Sequence, residues 1–345
     1  MKPVSVKALA RKLGLHIVRP AELSIHRARE GEGWAYFNAR GHRIADRRIV
    51  QRLNHLAVPP AYENVLYAND PRAHLQAVGR DAAGRLQYRY HPDWEKIRDI
   101  RKAQRLIGLV EVLPHIRRAL ATRLDGDSPS REFALSALIE LISATAIRSG
   151  SEEYARQHRT RGAATLLKSN VRHEGEDILI LSFRAKGGKQ VRKEIRHARL
   201  CAAVAKLREL PGRRLFQYRA DDGSVRTVSA VEANIFLKEL AGCEITLKDF
   251  RTLCGTAEAM QALAELEPAK SARGRKKQIV AAIRNAAEKL ENTPAICRKS
   301  YVHPAVLTAF ESGSLRDFAE QLKRARSDGP AHAAVGALLE AATAA

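Results

Sequence analysis

Two kinds of periodicity divide the chain. Over the first ninety residues or so, apolar and polar positions alternate in short runs. "GWAYFNARGHRI" sets aromatic and polar residues around a turn at Gly41, as a hairpin does, and "AVGRDAAGRLQYRYHP" reads as two strands flanking an Asp-Ala-Ala-Gly turn. Between them, "DRRIVQRLNHLAV" has helical spacing that Pro59-Pro60 should stop. From about residue 93 the spacing is mainly helical. "SPSREFALSALIELISATAIRSG" predicts a helix capped by Ser128, with Pro129 at its first position, apolar through Ile147 and closed at Gly150. One β insertion, "DILILSFRAKGGKQVRKEI", predicts two strands joined across Gly187-Gly188. "SAVEANIFLKELAG" carries a Ser229/Glu232 capping box and a glycine stop, and "TLKDFRTLCGTAEAMQALAEL" opens at Thr246 with Asp249 three residues on. "PAKSARGRKKQ" reads as a mobile basic linker before a helix to about Leu290. The tail from Ser327 is rich in alanine and carries no chemistry, and no internal repeat is visible. The pattern predicts an α+β protein: a small β-rich domain over residues 1–90, a larger, mainly helical domain over 91–326, and an Ala-rich tail over 327–345.

Composition narrows the partner. The chain of 345 residues is long enough for two domains with a sizeable core. Its 60 basic side chains against 38 acidic ones give a formal charge of +22, a field that attracts polyphosphates. No apolar run approaches the roughly 20 residues that span a bilayer, and "MKPVSVKALARKLGL" lacks the uninterrupted apolar region of a secretory signal. Cys201, Cys243, Cys254 and Cys297 show no C-x-x-C spacing, which fits reduced thiols in a cytosol and speaks against zinc.

Four positions could carry chemistry. Arg148 follows an apolar helix at its C-terminal end, where an arginine more often merely complements the helix dipole. Arg251, in the first turn of the helix opened by Thr246, gains nothing from that dipole; a positive helix start with a guanidinium makes an anion site. Lys186 stands at the rim of the "AKGGKQ" turn, with Lys189 as its rival. Charged hairpin tips are usually just solvated, but a lysine there can reach a DNA groove and give up a proton, as an arginine cannot. Tyr301 sits in "ENTPAICRKSYVHP" among Arg298, Lys299 and Ser300, outside any apolar pattern. There is no G-x-x-x-x-G-K-[ST] loop and no convincing acidic cluster; Asp221-Asp222-Gly223 reads as a turn. A phosphoryl-transfer enzyme so built must neutralise its transition state with side-chain cations, and arginine forks suit phosphate oxygens.

In this order the motifs resemble those of the type IB DNA topoisomerases in their short poxvirus-like and bacterial form, over about residues 25 to 325. "AIRSGSEEYA" is similar to the family's first catalytic-arginine segment, giving Arg148. "LSFRAKGGK" resembles the hairpin with the general-acid lysine, which Lys186 matches better than Lys189. "LKDFRTLCGT" resembles the second-arginine motif, giving Arg251, and "ENTPAICRKSYVHP" the segment of the nucleophilic tyrosine, giving Tyr301 fifty residues later. Nine residues before Tyr301, where the poxvirus enzymes have histidine, this chain has Asn292, which can donate a hydrogen bond to a phosphate oxygen but carries no charge. The resemblance further implies DNA contacts from Gln87, Tyr88 and Tyr90 in "GRLQYRYH", and phosphate contacts from Tyr154 and Lys248. Read from alternation alone, Tyr88 and Tyr90 would be core strand residues.

What the resemblance implies is a tyrosine nucleophile forming a 3′-phosphotyrosyl link on double-stranded DNA, strand rotation, and religation, by a monomeric clamp without nucleotide cofactor or metal. A tyrosine recombinase shares the chemistry, but it needs a tail that docks on its neighbours, and none is evident here. A non-enzymatic basic DNA-binding protein would explain the charge and leave the four motifs without a purpose.

Overall fold

Short alternations in the first hundred residues build antiparallel strands β1 (Ile25–Glu30), β2 (Gly33–Phe37), β3 (Glu63–Tyr67), β4 (Leu75–Arg80) and β5 (Leu86–Tyr90). They form one sheet in the order β2-β1-β3-β4-β5. The computed structural model describes residues 4–318, 322 and 328–344. The β4–β5 hairpin closes as expected: the Asp81 carboxylate accepts from the amides of Ala83 and Arg85, both at 3.0 Å, and Gly84 takes φ 73°. Helix α1 (Val6–Lys12) is capped by Ser5, and α2 (Arg47–His55) by Asp46. Leu53 of α2 packs with Ile25, Tyr36, Val65, Tyr67 and Ala77 in the sheet's core. Helix α2 ends at His55, before the prolines expected to stop it, because Ala57 already turns left-handed at φ 45°. Strands β1 and β3 were illegible in the pattern; β1 buries only Ile25 among charged neighbours.

The chain forms two compact units, Met1–Lys102 and Ala103–Ala345, and the division falls inside the long helix α3 (Pro92–Leu124). In the second unit, α4 (Arg131–Thr145) is apolar on every side, with Phe133 to Ile139 all buried, and such a helix can only sit at the centre of its unit. Around it the chain runs through α5 (Glu152–His158), α6 (Ala198–Glu209), α7 (Ala230–Ala241), α8 (Leu247–Ala264) and α9 (Ala272–Lys289), then α10 (Pro294–Ser300), α11 (Pro304–Ser312) and α12 (Asp328–Ala344). Helices α6, α7 and α8 pack on α4. Strands β6 (Val171–Glu174), β7 (Ile178–Arg184) and β8 (Gln190–Arg196) form a three-stranded sheet, so the expected two-stranded insertion has a third member. Strands β9 (Gln217–Arg219) and β10 (Val225–Thr227) pair across the turn at Asp221-Asp222-Gly223.

Three expectations need correction. The cap of α4 is Ser130, not Ser128: its hydroxyl accepts from Phe133 N at 3.2 Å. The helix stops at Thr145, because Ala146 turns left-handed at φ 51°, so it does not run on to Ile147 and Gly150. The basic "linker" is helix: Ser271 accepts from Gly274 N at 3.0 Å and opens α9, whose first turns are Arg273, Arg275, Lys276 and Lys277, good helix formers. The Ala-rich tail is helix α12, burying Ala331, Ala334, Val335, Leu338 and Leu339 at helical spacing. The boundary expected at residues 326 and 327 lies outside the described residues.

Candidate active site

The early stop of α4 decides where Arg148 stands. It is carried past the helix on a short extended run, not in the last turn. There its carbonyl accepts from Ala163 N and that of Ser149 from Ala164 N, both at 2.8 Å. The two backbone runs meet at glycines: a Cβ on Gly162 would lie 2.6 Å from Gly150 Cα and 2.7 Å from Arg148 O, and Gly150 has φ +88°. Only two residues without side chains allow so close an approach. The Arg148 guanidinium donates to the side-chain oxygen of Asn292.

Arg251 lies in the second turn of α8, one turn deeper than its sequence position suggested. Asp249 anchors the helix start, accepting from the Thr246 amide (2.9 Å) and hydroxyl (2.8 Å) and from Arg105 Nε (3.2 Å). Arg251 is 3% exposed. It donates one terminal nitrogen to Ala146 O and the other to Leu290 O at 3.0 Å; its buried Nε has no hydrogen-bond partner among the described residues. A guanidinium has five N–H donors, so these two carbonyls leave the others for the Tyr301 phenol and a ligand. Burial pushes its pKa below the ordinary value, while the phenol of Tyr301 works the other way.

Tyr301 is buried, 9% exposed, despite its basic surroundings in sequence. It caps α10, its amide bonded to Cys297 O at 2.8 Å and its carbonyl accepting from Thr256 Oγ1 at 3.1 Å. Arg251 lies 4.9 Å and Lys248 5.7 Å from the centre of its ring. Burial alone would raise the phenol's pKa, but the charges of Arg251, Arg148 and Lys248 outweigh it and hold the pKa below the ordinary value.

These side chains line one cavity of about 370 Å³ in the second unit. Arg148, Arg251 and Tyr301 meet there with Lys248, Tyr154 and Lys186; Lys186 stands 5.1 Å over the ring of Tyr154. The β7–β8 turn that presents Lys186 has Gly187 and Gly188 at φ 79° and 78°. Lys189 points elsewhere, donating to Asn292 O at 3.5 Å. Asn292 is buried and offers its oxygen to Arg148, with its amide nitrogen 3.4 Å from Leu290 O. It therefore serves an arginine first, rather than standing open toward a ligand. Arg161, which the sequence did not single out, also lines the cavity, making five cationic side chains and no carboxylate among the lining residues. Its basic neighbourhood, "RQHRTRG", offered no signal to separate it from Arg156 or Arg159. Gly255 and Thr256 were missed too, although they stand in the quoted "LCGT". A Cβ on Gly255 would meet Leu290 Cδ1 at 2.8 Å and Tyr301 O at 2.9 Å.

In the first unit, Tyr88 and Tyr90 on β5 are exposed, not core, and stack on each other at 6.1 Å; Tyr90 stacks on Trp94 at 6.1 Å. Gln87 is tied to the hairpin turn, donating to Asp81 at 2.9 Å. A larger cavity of about 680 Å³ elsewhere in the second unit contains neither Tyr301 nor Arg148. Its Glu140–His197 pair, at 2.9 Å, ties α4 to the cap of α6 and explains itself structurally. The smaller cavity has the chemistry: a phenol whose ionisation is favoured, set among cations that can hold a phosphodiester.

Residues 91–328 match the family described as "Eukaryotic DNA topoisomerase I, catalytic core", and residues 33–81 match "Bacterial DNA topoisomerase IB, N-terminal domain". "DNA topoisomerase 1B" of Acanthamoeba polyphaga mimivirus is 29% identical over 295 residues, covering 84% of this chain and 88% of that protein.

Proposed function

The chain belongs to the type IB DNA topoisomerases, and from that membership we propose that the cavity around Tyr301 is where it cuts and rejoins DNA. It is an isomerase that relaxes supercoiled DNA by transient cleavage of one strand through a 3′-phosphotyrosyl intermediate, rotation and religation. The observation that carries the site assignment is the buried phenol of Tyr301 beside Arg251, in a cavity of five cations without a carboxylate.

In this reading the Tyr301 oxygen attacks a backbone phosphorus, the Tyr301 O–P bond forms and the P–O5′ bond breaks. Phenol of ordinary pKa is mostly neutral near pH 7; the neighbouring guanidinium groups favour the phenolate, and they favour the more highly charged pentacoordinate transition state further. Arg251, fixed by two main-chain carbonyls, directs its remaining donors at the non-bridging oxygens together with Arg148. Asn292 acts at one remove by holding Arg148. Lys186 donates its proton to the departing 5′ oxygen; Lys189, engaged with Asn292 O, is the weaker candidate. The 5′-hydroxyl then attacks the phosphotyrosine and reverses each step. One ester replaces another, so no nucleotide is consumed and no metal is needed.

Tyr154, Lys248 and Arg161 contribute phosphate contacts, and Gln87, Tyr88 and Tyr90 of the first unit contact DNA separately. The enzyme acts as a monomer on double-stranded DNA in a bacterial cytoplasm, associated with the nucleoid. The test is supercoiled plasmid incubated with the protein in EDTA without ATP. A ladder of progressively relaxed topoisomers is expected; plasmid that stays supercoiled while bound overturns the reading.

A further inference from the structure

Strand β8 turns Val191 and Ile195 inward, both buried, and the position between them on the same face is Lys193. The two-residue period of a strand calls for an apolar side chain there. Instead a half-buried ammonium donates to Lys289 O at 2.8 Å and lies 3.7 Å from the Glu291 carboxylate. Such a charge is a poor device for stability, because desolvation offsets much of the attraction.

Its partner is unusual as well. Glu291 is a non-glycine residue at φ 55°, in the turn that delivers Asn292. A left-handed glutamate persists only where its surroundings fix it. Here cations from two elements grip the turn: Lys193 on Lys289 O, Arg251 on Leu290 O and Lys189 on Asn292 O. Lys193 and Glu291 border a small gap of about 20 Å³ together with Arg148 and Arg251, yet neither lines the cavity that holds Tyr301. Burial lowers the pKa of Lys193; Glu291 and Cys254 counter that, and Arg251 adds to it.

We propose that Lys193 is a positioning residue for the cleavage reaction: it ties the β7–β8 hairpin to the 289–292 turn and so sets where Lys186, at the hairpin's tip, meets the departing 5′ oxygen. The proposal rests on the assignment of Lys186 as proton donor. It also explains why a lysine occupies a core-facing strand position seven residues from that tip.

The experiment is single-turnover cleavage of a duplex bearing a site mapped with the wild type, on two substrates. One has the natural bridging 5′ oxygen; the other has sulfur there, which leaves as thiolate without a proton. The enzymes are wild type, Lys186→Ala, Lys193→Met and Lys193→Arg. Lys193→Met is expected to bind DNA as wild type, to cleave the oxygen substrate roughly 10- to 100-fold more slowly, and to recover on the sulfur substrate. Lys193→Arg, keeping charge and donors, should restore most of the rate on oxygen. Wild-type cleavage of the oxygen substrate by Lys193→Met, or an equal defect on both substrates, overturns the proposal. Lys186→Ala separates the two assignments: if it is slow on oxygen and rescued by sulfur, the donor stands and Lys193 alone fails. If circular dichroism shows Lys193→Met unfolded, Glu291→Gln tests the same tether from its other end. A smaller slowing with the same sulfur rescue supports it, and an unchanged rate overturns it.

Discussion

Arg251 has given up nearly all its water to two carbonyl oxygens, with no carboxylate to balance it. A buried charge so arranged is costly to the folded chain, and an anion bound beside it would offset that cost. Arg251→Met should therefore change the stability of the DNA-free protein by no more than about 2 kcal/mol, since loss of the buried charge offsets two unpaired carbonyls. Cleavage should fall by roughly 10²- to 10³-fold, the scale of a lost transition-state donor. Melting and single-turnover rates measured on the same preparation check both halves; a wild-type rate removes Arg251 from the site. Gly255 makes the complementary point about shape. Alanine is the better helix former by about 0.5–1 kcal/mol, but its methyl would press on Leu290 and on the backbone of Tyr301. Gly255→Ala is expected to fold and bind DNA while cleaving slowly, and unimpaired cleavage would show that Tyr301 tolerates the shift.

Elements differed in how well the sequence announced them. The apolar run of α4, the capping box of α7 and the glycine turn of the β7–β8 hairpin were legible because each rests on local chemistry. Strand β1 was not, because its partners, not its own residues, make it a strand; it pairs with both β2 and β3 while burying only Ile25. The basic start of α9 misled because lysine and arginine favour both linkers and exposed helix. For the candidate site, motif order singled out Arg148, Lys186, Arg251 and Tyr301, which line one cavity. The burial of Tyr301, the Arg148–Asn292 contact and the lining role of Arg161 depend on segments far apart in the chain, beyond any local pattern.

The first unit's core buries two phenols, those of Tyr36 and Tyr67. Burial pushes the Tyr67 phenol up to about 12, and Tyr36, edge-on to it at 5.5 Å, is raised as well. Both pKa values lie above those of the unfolded chain, so the fold favours the neutral phenols. Their contribution is complete below about pH 10 and is lost as pH rises through the folded values. Thermal melting of this unit should weaken over that alkaline window, and less so in Tyr67→Phe; a variant that weakens just as steeply locates the alkaline loss elsewhere.

At the scale of the whole molecule, +22 is far more charge than solubility requires, and its natural partner is the phosphate backbone. If about six to ten phosphates are neutralised on binding, affinity for duplex DNA should drop by roughly 10³- to 10⁵-fold between about 50 and 200 mM salt. A shallow dependence would mean that few of these cations meet the backbone. Charge alone, however, does not distinguish a binder from an enzyme. The distinction rests on whether a covalent bond forms between Tyr301 and DNA.

The most direct measurement is to trap that bond. End-labelled duplex is mixed with wild type or Tyr301→Phe, the reaction is stopped with detergent, and the labelled protein is digested for mass spectrometry. The structure predicts labelled wild-type protein with the nucleotide on Tyr301, and no label on Tyr301→Phe, which still binds the duplex as the wild type does. Label on the phenylalanine variant, or on any other residue of the wild type, would contradict the assignment of Tyr301 as nucleophile.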